Sequence, residues 1–336
     1  MALLDIRNLS IDITTAQGTT RVVDKVSLHI VDGSIHGFFG ESGSGKSLIA
    51  SAILGLHNPN WKVTVDRMFL DSKDLTKLSP SERRKIMGKE IAMIFQHPRS
   101  YLDPSKKIFP QINEVLPGIS LKDRMFDKIK HSRKKTSIQK IKALFHKVGI
   151  QNDQAVLQSY PHQLSEGICQ KIMIAMAIAN NPRLIIADEP TNAMEAVTQA
   201  QILRLLYKLN RLHSTTILLL SNNFGSICHL SDFITLIYCG QAVESGSYKK
   251  ITESPMHPYT EAMIKTTLNF NQSIIHKSQL YTLQGNIPSS NQIPIGCRLG
   301  PRCPRAQRTC VKNPDTSNYK GHTVRCHYPT LDEKTA

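Results

Sequence analysis

Apolar and polar residues alternate along Leu3 to Asp12 and again along Thr19 to Ile30, with a Thr/Gly-rich stretch at Thr14 to Gly18 between them. Period-two alternation on both sides of a short turn predicts an antiparallel pair of half-buried strands, an edge sheet lying over whatever the core binds. Ile35 to Phe39 is a short continuous apolar run and predicts a buried strand; a glycine-rich turn and an apolar helix opening at Ser47-Leu48-Ile49-Ala50 follow it. Val63 to Leu70 and Glu90 to Phe95 read as further strands, and Ser79 to Met87 as a helix capped by Ser79 or Ser81. A helical, basic segment is expected over 105–178. Leu184 to Glu189 and Thr216 to Leu220 are apolar enough to be buried parallel strands, joined by a helix over Gln199 to Leu212. Strand, helix, strand in that order predicts a doubly wound α/β core. No internal repeat is visible.

The turn after Phe39 reads Gly40-Glu41-Ser42-Gly43-Ser44-Gly45-Lys46-Ser47, a full match to the phosphate-binding pattern G-x-x-x-x-G-K-[ST]. Three glycines let the backbone turn its N–H groups inward at the start of a helix, where they hold phosphate oxygens. Lys46 adds a positive charge for the β- and γ-phosphates, and the Ser47 hydroxyl is placed to ligate Mg²⁺. This stretch binds a nucleoside triphosphate. The pair Asp188-Glu189 ends a buried strand, so Asp188 is expected to hold Mg²⁺ and Glu189 to accept a proton from an attacking water. That combination implies hydrolysis.

Length and charge refine this. With 336 residues the chain is longer than one simple domain requires, so a large α/β domain with an appendage is expected. No apolar run approaches the ~20 residues of a membrane span, and the N-terminal stretch lacks the layout of a signal peptide, so a cytosolic chain is expected. The net charge is +16, and Lys122 to Lys147 holds much of it, including Lys128, Lys130, Arg133, Lys134, Lys135, Lys140 and Lys142. A solvated helix face accounts for such a run, with contact to anionic lipid headgroups beside a membrane partner as the functional alternative. Seven cysteines are present. Cys169, Cys228 and Cys239 stand in apolar contexts as small core residues. Cys297, Cys303, Cys310 and Cys326 cluster in a Pro/Gly/Arg-rich tail with five, six and fifteen residues between successive members. Four thiolates suit Zn²⁺ or an iron–sulfur cluster, and spacing does not choose between them.

Gln96 after an apolar strand, Leu164-Ser165-Glu166-Gly167-Ile168 opening a helix, and Asp188-Glu189-Pro190-Thr191, all downstream of the phosphate loop, resemble the ATPase subunits of ABC transporters. The resemblance covers essentially the whole chain. Met173-Ile174-Ala175-Met176-Ala177, Tyr238-Cys239-Gly240-Gln241, His257-Pro258-Tyr259-Thr260 and the C-terminal cysteine segment resemble the dipeptide/oligopeptide permease branch. The fold implied is a P-loop NTPase ABC nucleotide-binding domain: a RecA-like parallel sheet, an antiparallel β edge, an α-helical subdomain at 97–178 within an ATPase domain 1–255, and a cysteine-rich extension at 256–336. The resemblance implies ATP and Mg²⁺ as ligands, Gln96 as sensor of metal and attacking water beside Ser47 and Asp188, and Ser165 and Gly167 facing the γ-phosphate bound by a partner subunit. It also implies two transmembrane permease subunits, an indirect link to a periplasmic substrate-binding protein, and a peripheral place on the cytoplasmic face of a bacterial inner membrane. Cationic or antimicrobial peptides are the implied cargo, with polyamines compatible. Gly296-Cys297-Arg298-Leu299-Gly300-Pro301-Arg302-Cys303-Pro304 with Cys326-His327-Tyr328-Pro329 resembles the region of such subunits that carries a [4Fe–4S] cluster at Cys297, Cys303, Cys310 and Cys326.

Four departures from the family pattern bear on activity. Glu166 and Ile168 replace the first glycine and the glutamine of the signature, bringing a carboxylate toward a triphosphate site. Met194-Glu195 stands where Leu-Asp is usual. Asn222 occupies the switch-histidine position and cannot carry its positive charge, which points to slower hydrolysis. No aromatic residue precedes Phe38, so the ring that stacks on adenine is missing. A heterodimer with a more regular second ATPase subunit is therefore expected. Two other readings compete: a regulatory or structural subunit that binds ATP with little turnover, and a non-transport ABC ATPase acting on nucleic acid. The second usually needs two cassettes or an inserted module that this sequence does not display, so no nucleic-acid partner is expected.

Overall fold

The computed structural model describes residues 2–16, 18–117, 131–268, 283–289 and 292–331. Two compact units emerge, one formed by 1–78 with 218–336 and the other by 79–217.

In the first unit, β1 (Ala2–Thr15) and β2 (Gly18–Val31) form the expected antiparallel hairpin. The strand expected over Val63 to Leu70 is instead two, β4 (Trp61–Thr64) and β5 (Arg67–Leu70), each antiparallel to a different half of β1. The physical reason lies in β1, which kinks at Asn8 with a φ of 53°. A single straight partner cannot follow that bend, so it breaks at Asp66, and the Asn8 Nδ2 group donates to the Asp66 carboxylate at 2.7 Å across the break. A short β6 (Lys73–Asp74) completes this sheet beside β5.

The unit's second sheet carries the phosphate loop. Its β3 (Ile35–Phe39) is buried at every position, as the apolar run predicts, and leads into α1 (Lys46–Leu54). β10 (Phe233–Tyr238) runs parallel to β3, and β11 (Gln241–Ser247) returns antiparallel to β10. On the other side of β3 lies β9 (Thr216–Ser221). The C-terminal region extends the same sheet: β12 (Ser317–Tyr319) and β13 (His322–Val324) form a hairpin whose second strand pairs with β11. α8 (Phe224–Leu230), α9 (Tyr248–Glu253) and α10 (Pro258–Leu268) belong to this unit as well.

One buried carboxylate ties these pieces together. Glu244 of β11 accepts from the backbone N–H groups of Met256 and His257 at 2.8 and 2.9 Å, and from His322 Nε2 of β13 at 2.7 Å. A buried carboxylate with three donors is satisfied; with any donor removed it would be costly.

The second unit holds β7 (Ile91–Ile94) and β8 (Leu184–Asp188), paired in parallel, together with most of the helices. α2 (Pro80–Ile86) starts at Ser79 and not Ser81. Ser79 and Glu82 form a reciprocal capping box, with proline in the first turn. The helical segment expected over 105–178 resolves into α3 (Ile108–Val115), α4 (His131–Lys147), α5 (Asp153–Gln158) and α6 (Glu166–Ile178). Of the basic run, Lys128 and Lys130 lie outside the described residues, whereas Lys142 on α4 pairs with Asp153 on α5 at 3.2 Å. The long α7 (Ala196–His213) precedes β9.

Two buried histidines make the first unit acid-sensitive. Burial pulls both His36, bonded to Thr235 at 2.9 Å, and His257 down to about 4. An imidazole with an ordinary pKa near 6.5 in the unfolded chain then binds more protons unfolded than folded. Stability is therefore complete above about pH 6.5 and is lost as pH falls toward 4, at roughly 2 kcal/mol per histidine by pH 5. Thermal unfolding at pH 7 and pH 5 checks this, with His36→Asn expected to show a smaller drop between the two than the unaltered chain; an equal drop would count against it.

Candidate functional site

The phosphate loop is built by close approach. A Cβ on Gly40 would lie 2.5 Å from Ser44 Oγ and 2.6 Å from Ile237, so no other residue fits there. Gly43 and Gly45 have φ of 80° and 103°, the left-handed region that glycine adopts without strain. Gly45 is the N-cap of α1 and no side chain bonds the first turn of that helix. The N–H groups and positive dipole end of a helix N-terminus are what a phosphate needs. Lys46 is 5 % exposed, and its Nζ donates to the carbonyls of Gly40 at 2.6 Å and Glu41 at 3.3 Å. Ser42, Gly43 and Ser47 are exposed around the loop, and Ser44 is buried beneath it. Gly40 N–H donates to the Ser221 carbonyl at the end of β9 at 3.3 Å. That bond brings Asn222, the next residue and an exposed one, to the phosphate loop. The neighbouring Asn223 is already engaged: it caps α8 by accepting from Ser226 N–H at 3.0 Å.

The remaining predicted residues lie in the second unit. Ile94 of β7 is in register with Ala187 of β8, so Gln96 and the pair Asp188-Glu189 emerge at the carboxyl ends of adjacent parallel strands. Asp188 and Glu189 are 5 % and 9 % exposed. Glu189 adopts a φ of 44°, unusual for a residue with a side chain, and its carbonyl accepts from Asn192 N–H at 3.1 Å. Ser165 is the N-cap of α6, its hydroxyl accepting from Ile168 N–H at 3.3 Å. Gly167 has no room for a side chain, because a Cβ there would sit 2.7 Å from the Thr198 methyl of α7.

Glu166 is not an unanswered charge. Arg99, three residues after Gln96, holds its carboxylate at 3.3 Å through Nε and also donates to the Leu164 carbonyl. The sequence reading missed Arg99, whose sole signal was a lone arginine in the segment after Gln96. It likewise missed Arg302, which pairs with Glu41 of the phosphate loop at 3.2 Å.

The four C-terminal cysteines come together as their clustering predicts. Cys297, Cys303, Cys310 and Cys326 line one small pocket with His257, Arg305 and His327. Cys297 N–H donates to the Cys310 carbonyl at 2.9 Å, and all four thiols are free. Burial pushes the thiols of Cys297 and Cys303 up and that of Cys326 to about 11, and the nearness of the other cysteines adds to each shift. Among the described residues, no group of three or more His, Cys, Asp or Glu side chains is arranged to hold a metal ion. The four thiols therefore share a cavity without forming a ligand cage. Of the isolated cysteines, Cys169 and Cys239 are buried as expected and Cys228 is half-buried.

Comparison with known proteins agrees with this geometry. Residues 23–192 match the ABC transporter family model, and 243–310 match the model for the C-terminal region of oligopeptide/dipeptide transporters. The chain is 48 % identical over 334 residues to the peptide transport system ATP-binding protein SapD of Escherichia coli O6:H1, covering 99 % of this chain and 100 % of that one. It is 49 % identical to SapD of Haemophilus influenzae, over 99 % of this chain and 95 % of the relative. The dipeptide transport ATP-binding protein DppD of Escherichia coli K12 is 37 % identical, over 99 % and 98 %. In fold, the chain is similar to the dimeric post-hydrolysis ATP-binding cassette MJ0796 bound to ADP and Pi, with a TM-score of 0.60, 24 % identity, and coverage of 73 % of this chain and 98 % of that one. The expected fold, an ABC nucleotide-binding domain with mixed α/β sheets, is thus the observed one. This chain belongs to the ABC transporter ATP-binding subunits, in their oligopeptide/dipeptide branch.

Proposed function

We propose that the chain is the ATP-binding, ATP-hydrolysing subunit of a peptide importer of the Sap type, passing the closing and opening of an ATPase pair to two membrane permease subunits. The observation that carries this reading is the phosphate loop, with its glycine cradle, its α1 N-terminus left uncapped by any side chain, and Lys46 held against the loop carbonyls. In the proposal, Gly40 to Ser47 bind the triphosphate. The hydroxyl, amide and carboxylate oxygens of Ser47, Gln96 and Asp188 are hard donors of the kind Mg²⁺ prefers, and an ion they held would supply charge neutralisation at the phosphates. Glu189 orients the attacking water and takes its proton, while Asn222 donates to the γ-phosphate. Ser165 and Gly167 serve the ATP bound by the partner subunit.

The same reading has a second, more regular ATPase subunit completing a heterodimer, because Asn222 lacks the charge of a histidine. A periplasmic substrate-binding protein would deliver cationic peptides to the permease, so the cargo never meets this chain. Among the described residues no helix is long and apolar enough to cross a membrane. The proposal puts the chain on the cytoplasmic face of the inner membrane as a peripheral subunit, with 1–255 as the ATPase domain and 256–336 as the cysteine-bearing region. The four thiols suit a [4Fe–4S] cluster in donor chemistry and border one pocket without being arranged as its ligands; a cluster there would draw them together and brace a segment with few apolar residues of its own.

Three experiments test these assignments. In the reconstituted transporter, Glu189→Gln is expected to lower ATP turnover by about 100-fold or more; if only the matching change in the partner ATPase does so, this chain is the nucleotide-binding, structural half of the pair. Anaerobically purified protein should contain iron and acid-labile sulfide in near-equal amounts, both lost in Cys303→Ser; zinc without sulfide decides against the cluster. Arg99→Ala leaves Glu166 uncompensated and is expected to weaken ATP-driven association of the two ATPase subunits by roughly 5-fold, the worth of one exposed ion pair. The added change Glu166→Gly should restore association, and a double variant as weak as Arg99→Ala alone would refute the role given to Arg99.

A further inference from the structure

The phosphate loop carries a carboxylate of its own, Glu41, at its second position. An ionised side chain there opposes the triphosphate unless its charge is answered and its orientation fixed. The answer comes from the far end of the sequence. Arg302, in the cysteine segment, donates through Nη1 to Glu41 Oε2 at 3.2 Å and to the Tyr238 hydroxyl at 3.2 Å. Its side chain is 8 % exposed, and its Nε is held by the Gln284 carbonyl at 3.1 Å. Burial pushes the Tyr238 phenol up to about 12, so it accepts this bond as a neutral group and leaves the guanidinium charge to Glu41. The Glu41 carbonyl is one of the two that hold Lys46 Nζ.

A second arginine of the same segment steadies the other end of the loop. Arg298 donates to the Cys239 carbonyl and lies 3.6 Å from Asp24. The adjoining Gly240 donates to the carbonyl of Ser44 in the loop at 2.8 Å and accepts from Asp24 N–H at 2.9 Å. Arg298 follows Cys297 and Arg302 precedes Cys303, so the two side chains that reach the loop and the turn bonded to it spring from the segment whose cysteines line the shared pocket.

We propose that Arg302 is a positioning residue of the ATP site: it neutralises Glu41, turns that carboxylate away from the phosphates, and fixes the loop carbonyls that orient Lys46. The inference rests on ATP binding at this loop and goes beyond it, since it makes the C-terminal cysteine segment part of the nucleotide site whatever the four thiols hold. A buried arginine of merely structural value would lower thermal stability and leave the affinity of the folded protein for ATP unchanged.

The test uses the full-length chain and a fluorescent ATP analogue. Arg302→Ala is expected to raise Kd about 10-fold, with Arg302→Lys recovering most of the loss because it keeps the charge but not the fork geometry. In a Glu41→Gln background, Arg302→Ala should cost less than half of its original factor, the mark of two residues acting through one contact. In turnover, KM should rise while kcat holds. Should Arg302→Ala fail to fold, Arg302→Lys against Glu41→Gln, each with its Tm measured without nucleotide, supplies the same comparison. An unchanged Kd in a folded Arg302 variant, or fully additive effects with Glu41→Gln, overturns the proposal. Failure of the unaltered chain to bind the analogue would instead strike at the ATP-binding reading itself.

Discussion

A loop that binds a triphosphate through backbone N–H groups works only if nothing negative competes with the phosphates and nothing lets the backbone relax. Glu41 threatens both conditions, and Arg302 restores them from 261 positions away in sequence. The pair recurs in kind in the other unit, where Arg99 answers Glu166 at the start of α6. Two motifs that face phosphate in the family thus each carry a carboxylate here, and each carboxylate has an arginine. Arginine suits the task because it stays charged when it is partly buried and bonds a carboxylate with a fixed, planar geometry. The cost of a buried or half-buried acid is met by its partner.

The placement of Arg302 depends in turn on the sheet. β12 and β13 extend the sheet that contains β3, and Glu244 joins β11, the turn into α10 and His322 through three hydrogen bonds. Without the C-terminal hairpin, Glu244 would lose a donor in a buried position, a larger penalty than loss of any exposed contact. The C-terminal region is therefore integral to the unit that binds phosphate. Its cysteines stand on backbone that the sheet fixes at one side and the loop's arginine contacts fix at the other.

How legible this was depends on how local the signal is. β3, β8 and the phosphate loop were readable because a continuous apolar run, a glycine spacing and a helix start occupy consecutive residues. The hairpin of β1 and β2 was readable from alternation, but the break between β4 and β5 was not, because its cause is a kink at Asn8 in a different strand. The strand-end pair Asp188-Glu189 could be found in sequence, and its register with Gln96 followed only once β7 lay beside β8. Neither arginine partner could be found at all. Nothing in Arg99 or Arg302 distinguishes them from the other basic residues until the fold brings them against an acid. The cysteines fall between these cases: clustering predicted a shared place, and the thiols share one cavity, yet spacing alone does not arrange them as ligands.

The positive excess takes on a different meaning in this light. A net charge of +16 in a cytosolic reading points first to polyanions, nucleic acid or lipid headgroups outside the chain. Arg298 and Arg302 are nonetheless almost wholly buried, facing Asp24, Glu41 and backbone carbonyls. Part of the basicity is thus directed inward, toward the protein's own acids around a site for an anionic ligand. A count of charges cannot separate that use from a surface patch, since both read as arginine in a Pro/Gly-rich tail; burial does separate them. Arg302 contacts the phosphate loop through Glu41, and Arg298 contacts the turn bonded to that loop, although their sequence neighbours are cysteines that read as a metal-binding tail.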